Sequence, residues 1–375
     1  MRRSGLSLVA TGLLLALVLA GCSSSPSKPK PAELPAVSGS LAVSRAWSAQ
    51  LGEISTPMQA AVLGNRVVLA SSQGLLAELD AATGREAWRL DLKTALVAGV
   101  GSDGKRHAVV SADNTLLVIE SGREIWRQRL TAQTFTAPLV AGERVFVQTA
   151  DRTVTAFDGA SGQRLWSLQR NADPLVLRQA GVLTALGDTL LAGNGGRLSG
   201  IAPLNGQVRW DALVGSSRGT NEVERLVDLV AGVSRQGQSV CVRSFQTAVG
   251  CVDTVRGQVL WTRPAQGHQG LDGDEVRVFG VESDSKLRAW NRTDGQLAWS
   301  EESYRFRGLT APRVWGPAIA MGDAQGALHL LSREQGKSLQ RLATDGTPVA
   351  MPPVLAGQTL VTVNRSGLVI GWRLN

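Results

Sequence analysis

The residue types that most often carry catalysis or bind a metal are few in this sequence and widely separated. There are three histidines, His107, His268 and His329, and three cysteines. No histidine has another histidine or a cysteine at a spacing typical of a metal site. The sequence contains no GxSxG, phosphate-loop or HExxH motif. We therefore expect no catalytic residue, no metal site and no bound cofactor.

One cysteine ends an N-terminal segment that is typical of a secretory signal. Arg2 and Arg3 form a charged start, and the apolar run 13–20 is short for a membrane span. The sequence Leu19-Ala20-Gly21-Cys22 resembles the bacterial lipobox, which implies cleavage before Cys22 and attachment of a diacylglyceryl group to its thiol. Two or more acyl chains anchor a protein stably. An ordinary signal peptide with an incidental cysteine is the alternative.

The other two cysteines stand in a segment that predicts a β-hairpin. Cys241 and Cys251 flank residues 242–250, which predict two strands with a turn near Gln246 and Thr247. Pairing about position 246 places the cysteines opposite each other on one face. A disulfide is the preferred interpretation, because an exported protein meets an oxidising compartment. Two reduced, buried cysteines are the alternative, since the Cα spacing of paired residues suits a disulfide only marginally.

The rest of the chain predicts a polar tether and one long domain. After a signal peptide at residues 1–21, residues 22–40 are rich in Ser, Pro and Lys and predict a flexible tether from lipidated Cys22. In lipoproteins of this kind, Ser23 in place of Asp indicates export to the outer membrane. Residues 41–375 are uniform in composition and predict a single domain.

The charge of the chain gives no sign of nucleic-acid binding. The net charge of +8 becomes +6 without Arg2 and Arg3, which leaves 37 basic and 31 acidic residues. The densest basic group, Arg305, Arg307 and Arg313, predicts a solvated loop. We therefore expect no nucleic-acid partner.

One motif recurs along the domain and predicts its architecture. In the clearest copy, residues 79–88, an Asp precedes a Thr-Gly turn and the next strand carries a Trp. Seven of the ten tryptophans occupy this slot, and a Gln occupies it once. The slot positions are Trp47, Trp88, Trp126, Trp166, Trp210, Trp261, Trp299 and Gln340. Successive positions lie 38 to 51 residues apart by subtraction, a period typical of β-propeller blades.

Each repeat predicts four strands, and the two ends of the domain complement each other. In the first repeat the strands are 58–63, 66–71, 75–80 and 86–92. Residues 367–374 predict the third strand of a last repeat, and residues 43–48 predict a fourth strand without its first three. Joining them closes a ring and removes open sheet edges. The sequence thus predicts an all-β, eight-bladed propeller with four-stranded blades, closed by the N- and C-terminal strands. Seven blades are the alternative, because one interval is irregular.

The motif itself has a packing explanation. Its Gly lies where the turn needs a positive φ, and the Asp or Asn before it bonds its own turn. Its Trp buries a large apolar area between neighbouring blades, where the ring N–H finds a partner. We interpret the tryptophans as packing residues, with stacking on a ligand as the alternative.

The motif also carries a family resemblance. The pattern Ala/Leu-x-x-Asp-x-x-Thr-Gly-x-x-x-Trp resembles the repeat of the quinoprotein alcohol dehydrogenases, whose propellers bind pyrroloquinoline quinone. With a lipobox and a chain of this length, the sequence resembles the BamB family, lipoproteins of the outer-membrane β-barrel assembly (BAM) complex. The resemblance covers nearly the whole chain, and its motif is specific for the propeller type rather than for function.

Two segments resemble more particular parts of this family. Residues 173–178, Asp-Pro-Leu-Val-Leu-Arg, are similar to its Leu-x-Leu-Arg loop, and residues 221–228 are similar to its Glu-Ile-Asp-Arg-Leu-x-Asp segment. In the family these regions dock on BamA, the barrel-forming subunit. The family often has an acidic residue two positions after the Asp, where this chain has Val230. The resemblance implies a BamA-binding set of Leu175, Leu177, Arg178, Arg225 and Asp228.

Taken without the resemblance, these residues allow two interpretations. Leu175 and Leu177 beside Arg178 suit an exposed interface anchor, but without the resemblance their place in a strand core is the favoured interpretation. Asp228 could contact a basic group on the partner or orient Arg178. The sequence leaves both choices open.

The resemblance implies a function without catalysis. It implies a lipid-anchored outer-membrane protein, facing the periplasm, that binds BamA and supports folding and insertion of β-barrel proteins. Nascent outer-membrane proteins are a further expected partner. The alternatives are a pyrroloquinoline-quinone-dependent dehydrogenase and another kind of periplasmic propeller.

Overall fold

The structure is a computed structural model that describes residues 29–37, 39–170, 176–216 and 226–375. The chain divides into two units, Met1–Pro31 and Ala32–Asn375. Of the first unit only residues 29–31 are described, and they have no regular secondary structure. The predicted signal peptide, Cys22 and part of the predicted tether lie outside the described residues.

The second unit consists of antiparallel strands grouped four to a sheet, and each sheet is a propeller blade. The strand β1 (Val43–Gln50) belongs to the last blade. Blades 1 to 4 contain β2 (Ala61–Leu63), β3 (Arg66–Ala70), β4 (Leu75–Asp80) and β5 (Glu86–Asp91); β6 (Leu96–Ser102), β7 (Arg106–Ser111), β8 (Thr115–Glu120) and β9 (Arg123–Arg129); β10 (Leu139–Ala141), β11 (Arg144–Gln148), β12 (Thr153–Asp158) and β13 (Arg164–Gln169); β14 (Leu183–Leu186), β15 (Thr189–Asn194), β16 (Arg197–Ile201) and β17 (Val208–Leu213).

The second half of the ring repeats this plan. Blades 5 to 8 contain β18 (Leu229–Gln236), β19 (Ser239–Ser244), β20 (Ala248–Asp253) and β21 (Gln258–Pro264); β22 (Leu271–Gly273), β23 (Arg277–Val281), β24 (Leu287–Asn291) and β25 (Leu297–Glu301); β26 (Arg313–Trp315), β27 (Ala318–Gly322), β28 (Ala327–Ser332) and β29 (Ser338–Ala343); β30 (Val354–Ala356), β31 (Thr359–Val363), β32 (Leu368–Leu374) and β1. No helix occurs among the described residues, so none of them forms a membrane-spanning helix.

The two ends of the domain share blade 8 and close the ring. β1 pairs with β32 in antiparallel register, from Val43 opposite Leu374 to Gln50 opposite Leu368. The first strands of successive blades contact one another around the inner wall, and β2 contacts β30 where the ring closes. The predicted eight-bladed, four-stranded propeller closed by its terminal strands is confirmed, and the seven-bladed alternative is wrong.

Burial depends on the position of a strand within its blade. Central strands are covered on both faces by neighbouring blades, as in β7, where all residues are buried. Fourth strands lie at the rim and alternate between exposed and half-buried residues, as in β13. This difference explains the weak alternation of the central strands in the sequence, because both of their faces need apolar side chains.

The motif tryptophans join neighbouring blades. The Trp126 ring in blade 2 covers Gly162 in the third-to-fourth-strand turn of blade 3, and its Nε1–H donates to the Gly159 carbonyl oxygen at 2.9 Å. Gly162 has a φ of 73°, which glycine adopts without strain. The same ring-on-glycine contact recurs at other blade junctions, for example between Trp47 and Gly84. The predicted packing role is therefore confirmed.

Trp88 is an exception that the shortened motif of blade 2 explains. Gly122, the turn glycine of that blade, has no atom within 4 Å of the place where a Cβ would stand. The Trp88 ring lies instead against His107, with ring centroids 4.9 Å apart, and its Nε1–H donates to Glu78 Oε2 at 3.3 Å.

One face of the ring carries the described connections between blades, and we call it the connector face. A meander of four antiparallel strands enters and leaves on the same face, and its second-to-third-strand turn lies there too. Hydrogen bonds tie the two kinds of loop together. The Ser72 Oγ, for example, accepts the N–H groups of Ser55 and Thr56 at 2.9 and 3.0 Å.

Part of the predicted tether lies against the propeller. The Ala32 N–H donates to the Arg305 carbonyl oxygen at 2.9 Å, and Leu34 packs against the apolar cluster that contains Tyr304. The Arg341 guanidinium donates to the Pro35 carbonyl oxygen. Because these residues contact the propeller, part of the segment predicted as a flexible tether is bound to the domain. We call residues 32–35 the strap.

The predicted solvated basic loop is also only partly exposed. Arg307 is 8% exposed and Tyr304 is 1% exposed. The Arg307 guanidinium pairs with Asp323 at 2.8 Å. The interpretation of Arg307 as a solvated residue was wrong, because its partner lies in a turn of blade 7 that the local sequence does not reveal.

Candidate functional site

Residues 177–180, in the described part of the connection between blades 3 and 4, are held by hydrogen bonds of their backbone on the connector face. The Leu177 N–H donates to Asp228 Oδ2 at 3.0 Å. The Ala180 carbonyl oxygen accepts the Ala231 N–H at 2.8 Å. Both partners belong to the start of blade 5. Residues 177–180 are thus fixed across a blade boundary and cannot swing freely.

Within this fixed segment, Arg178 points outward. Leu177 and Gln179 are half-buried, whereas Arg178 is exposed. Its guanidinium carbon lies 5.9 Å from the centre of the Phe135 ring, a weak cation–π contact. Arg178 therefore presents its planar set of donors to solvent from a rigid backbone.

Asp228 is buried and acts within the chain. It is 9% exposed, and Oδ1 accepts a hydrogen bond from the Arg152 guanidinium. Arg152 lies in the second-to-third-strand turn of blade 3, with a φ of 65°. Of the two roles considered from the sequence, a direct partner contact and the orientation of Arg178, the structure supports neither directly. Asp228 binds Arg152 and the backbone of Leu177.

A small cavity lies beneath this segment. It measures about 50 Å³ and is lined by both polar and apolar groups, among them Phe135, Arg152, Leu177 and Asp228. Val230, at the position where the family often has an acid, also lines it and is 1% exposed. Leu177 lines this cavity and is also partly exposed at the surface. It is therefore neither a fully exposed interface anchor nor a fully buried core residue.

The other two predicted members of the set cannot be placed. Leu175 and Arg225 lie outside the described residues. Among described residues, the structure brings Leu177, Arg178 and Asp228 together. It also adds Arg152 and Phe135, which the sequence analysis missed. No local pattern links Arg152 to Asp228, since they are 76 residues apart.

The remaining cysteines lie inside blade 5. Cys241 in β19 is paired with Cys251 in β20, both are fully buried, and their sulfurs are bonded. Arg292 of blade 6 donates to the Cys241 sulfur at 3.3 Å. The pair lies in the packing between blades 5 and 6.

The mouth of the central funnel is the place to test whether a quinone cofactor fits. It is a cavity of about 330 Å³ on the connector face. Its described lining includes Arg178, Arg365 and His268 but no Asp or Glu. No group of three potential metal ligands of the His, Cys, Asp or Glu type occurs in the described part of the chain. The donor set does not fit a calcium–quinone site, which needs carboxylate ligands.

Comparison with known proteins identifies the family. Residues 72–301 match the family described as outer membrane protein assembly factor BamB. A relative of that name from Burkholderia pseudomallei is 33% identical over 95% of both chains. This chain belongs to the BamB family.

Solved structures agree with the fold of the BamB family. The crystal structure of BamB from Moraxella catarrhalis matches 89% of this chain and all of its own, with a TM-score of 0.81 and 23% identity. The quinohemoprotein alcohol dehydrogenase from Comamonas testosteroni has a TM-score of 0.66 and 14% identity, over 88% of this chain and 76% of its own. At these identities the likeness shows the propeller fold alone.

Proposed function

We propose that this BamB-family protein is a non-catalytic scaffold of the outer-membrane protein assembly machinery. It binds BamA and so supports the folding and insertion of β-barrel proteins. The observation that carries the proposal is the fixed segment 177–180 with Arg178 exposed on it. The family membership supports it, because the relatives are named assembly factors and not enzymes.

The contact residues of this surface are Arg178 and the exposed part of Leu177. A planar guanidinium suits carboxylate or backbone oxygens of a partner, and a half-exposed leucine suits a shallow apolar pocket. The hydrogen bonds that hold residues 177–180 reduce the entropy lost on binding, since the backbone is ordered beforehand. Leu175 and Arg225 are proposed members of the same surface.

Asp228 and Arg152 are positioning residues in this proposal. Their buried ion pair and the bond from Asp228 to the Leu177 N–H hold the docking segment in place. Removing one partner of a buried pair commonly costs about 3–5 kcal/mol, because the other charge stays buried without compensation. Asp228→Ala should therefore weaken both folding and binding.

The test measures affinity for purified BamA and melting temperature on the same variants. Arg178→Ala should bind about ten-fold or more weakly with a parental melting temperature. Its matched control is Arg164→Ala, an exposed arginine on the rim strand of blade 3, which should bind like the parent. Parental affinity of both the Arg178 and Leu177→Ala variants would refute the surface.

Positioning by Asp228 has its own signature. Asp228→Ala and Arg152→Ala should each lower the melting temperature and the affinity. The double variant should lose less than the two losses added together, because both remove the same pair. Fully additive losses would contradict the positioning role.

The proposal includes a lipid anchor on Cys22 at the periplasmic side of the outer membrane. The lipobox-like sequence 19–22 supports it. Metabolic labelling with a palmitate analogue should mark the parent and not Cys22→Ala. The fractionation of the parent with the outer membrane should be lost in the same variant. Label retained on Cys22→Ala would overturn the assignment.

A further inference from the structure

The funnel mouth and the candidate docking segment are continuous on the connector face. Gln179 and Ala180 line both the small cavity beside Asp228 and the funnel mouth, and Arg178, next to them in the chain, lines the funnel mouth. A partner segment that contacts Arg178 therefore lies at the edge of a second, larger cavity. At about 330 Å³, this cavity is large enough for a few side chains.

The floor of the funnel mouth is apolar and built from well-packed residues. Ile54, Met58 and Met351 line it and are 2–3% exposed, and Pro57 and Pro352 stand beside them. Such a floor accepts aliphatic or aromatic groups. The Met side chains add adaptability, since a thioether chain fills irregular gaps.

Two arginines on the lining have no acidic partner among the residues that the structure describes. Arg178 and Arg365 are exposed, and neither guanidinium forms an ion pair with a described residue. Other arginines of the connector face are paired, as Arg152 is with Asp228 and Arg305 is with Asp284. Because the described lining holds no carboxylate, the concave surface concentrates a positive potential.

Arg365 is also held on a rigid backbone. Its N–H donates to the Pro348 carbonyl oxygen at 2.8 Å, and its own carbonyl oxygen accepts the Ile54 N–H at 2.9 Å. Asp345, on the preceding connection, is bound by Asn364 at 2.8 Å and by Ser366. The carboxylate of Asp345 is thus taken up by this turn, while the Arg365 guanidinium remains available.

We infer that the funnel mouth takes an acidic side chain, flanked by apolar ones, from the same partner that docks on Arg178. The inference rests on the proposed function and extends its surface to Arg365 on blade 8. An extended BamA segment would place its carboxylate between Arg178 and Arg365 and its apolar neighbours on the methionine and proline floor. The charge complementarity and the continuity of the two cavities favour this occupant over an uncharged one.

The first experiment measures the affinity of the full-length lipoprotein for purified BamA, both in detergent. Arg365→Gln should weaken binding about three- to ten-fold, and Arg365→Glu should weaken it further by repulsion. The salt dependence should decrease in Arg365→Gln, because one charge contact is gone. Arg164→Gln is the matched control and should bind like the parent. All variants should keep the parental melting temperature, since these arginines are exposed.

The second experiment identifies the group that Arg365 meets. Arg365→Lys, treated with a carbodiimide in the presence of BamA, should form an amide cross-link to an Asp or Glu of BamA that mass spectrometry locates. Arg164→Lys should give none. A cross-link to a client polypeptide alone, or none with Arg365→Lys, would overturn the inference.

The outcomes separate this inference from the function that it rests on. If Arg178→Ala loses BamA while the Arg365 variants bind like the parent, the funnel mouth is not part of the surface but the docking proposal stands. If the parent itself does not bind BamA, the proposed function fails. If the Arg365 and Arg178 variants lose affinity non-additively, both arginines share one carboxylate and the inference is supported.

Discussion

At the residue scale, a buried carboxylate on the connector face holds several neighbouring groups in place. Asp323 is fully buried, and its carboxylate accepts bonds from His329 Nε2 and Arg307 Nε at 2.9 Å and from the Ala327 N–H at 2.8 Å. Burial alone would raise the pKa of Asp323, but these donors outweigh it and hold the pKa at about 2. Burial also lowers the pKa of His329, which favours the neutral imidazole.

This carboxylate predicts a specific pH dependence of stability. In the unfolded chain Asp323 takes up a proton near its ordinary pKa of 3.8, whereas in the folded protein it does so at about 2. Its stabilisation, about 2 kcal/mol, is therefore present above pH 4 and is lost as the pH falls towards 2. Asp323→Asn should melt lower than the parent at pH 7. The difference in melting temperature should narrow between pH 4 and pH 2, and a constant difference would contradict this account.

Contacts between a ring and a glycine join the blades at the element scale. The turn glycine leaves room for the tryptophan of the preceding blade, and the positive φ of the turn suits glycine as well. The two effects can be separated, because the glycine in the shorter turn of blade 2 has nearly the same φ without the ring. Gly122 has a φ of 71° and open space, and Gly162 has a φ of 73° and the Trp126 ring at 2.7 Å from a built Cβ.

This matched pair gives a prediction for blade docking. Gly122→Ala should destabilise the protein by about 1 kcal/mol through the strained φ alone. Gly162→Ala should cost a further 1–3 kcal/mol or so, because its methyl group displaces the Trp126 ring. Urea unfolding followed by tryptophan fluorescence measures both. Equal losses would mean that ring contact contributes nothing at this junction.

The strap is the second element whose contribution can be measured. Leu34 packs on the apolar cluster around Tyr304, whereas the adjacent Glu33 is exposed. Leu34→Ala should lower the melting temperature by the loss of buried apolar area, and Glu33→Ala should leave it unchanged. A protease should also cleave the strap more slowly in the parent than in Leu34→Ala. Identical behaviour of both variants would show that the strap is not held in solution.

Closure of the ring is the property of the whole molecule. β32 pairs with both β31 and β1, so it joins the last three strands of the chain to the first one. Removing it leaves β1 without its partner and opens two sheet edges. The ring then loses a blade interface on each side of blade 8.

A truncation tests this closure. Deletion of residues 366–375 should destabilise the whole domain and not merely loosen its end. The expected result is a large fall in melting temperature with loss of signal from tryptophans throughout the ring, measured by circular dichroism and fluorescence. A control deletion of Asn375 alone removes its hydrogen bonds to Ser44 and Ala42 but leaves β32 whole, so its effect should be much smaller. Parental melting of the long truncation would refute closure.

The sequence by itself determined the repeat and what the repeat builds. The Asp-x-x-Thr-Gly turn and the Trp recur at blade intervals. The N-terminal end of the domain supplies one strand, and the C-terminal end supplies the three other strands of the same blade. Local spacing also set the register of Cys241 opposite Cys251, because a hairpin is governed by its own turn. These features depend on neighbours within one blade or on its period.

Contacts across the ring were decided only by the tertiary structure. Asp228 binds Arg152, and Arg178 and Arg365 line one funnel mouth, although they stand in different blades. The loops that carry these residues do not follow the repeat of the blades. Which loops contact each other depends on how the eight sheets pack around the axis of the ring. The strap is similar: nothing in a Pro-, Ser- and Lys-rich segment shows that Leu34 packs on the apolar cluster of Tyr304, which lies 270 residues later by subtraction. The repeat encodes each blade, but the connector face forms only when the blades pack.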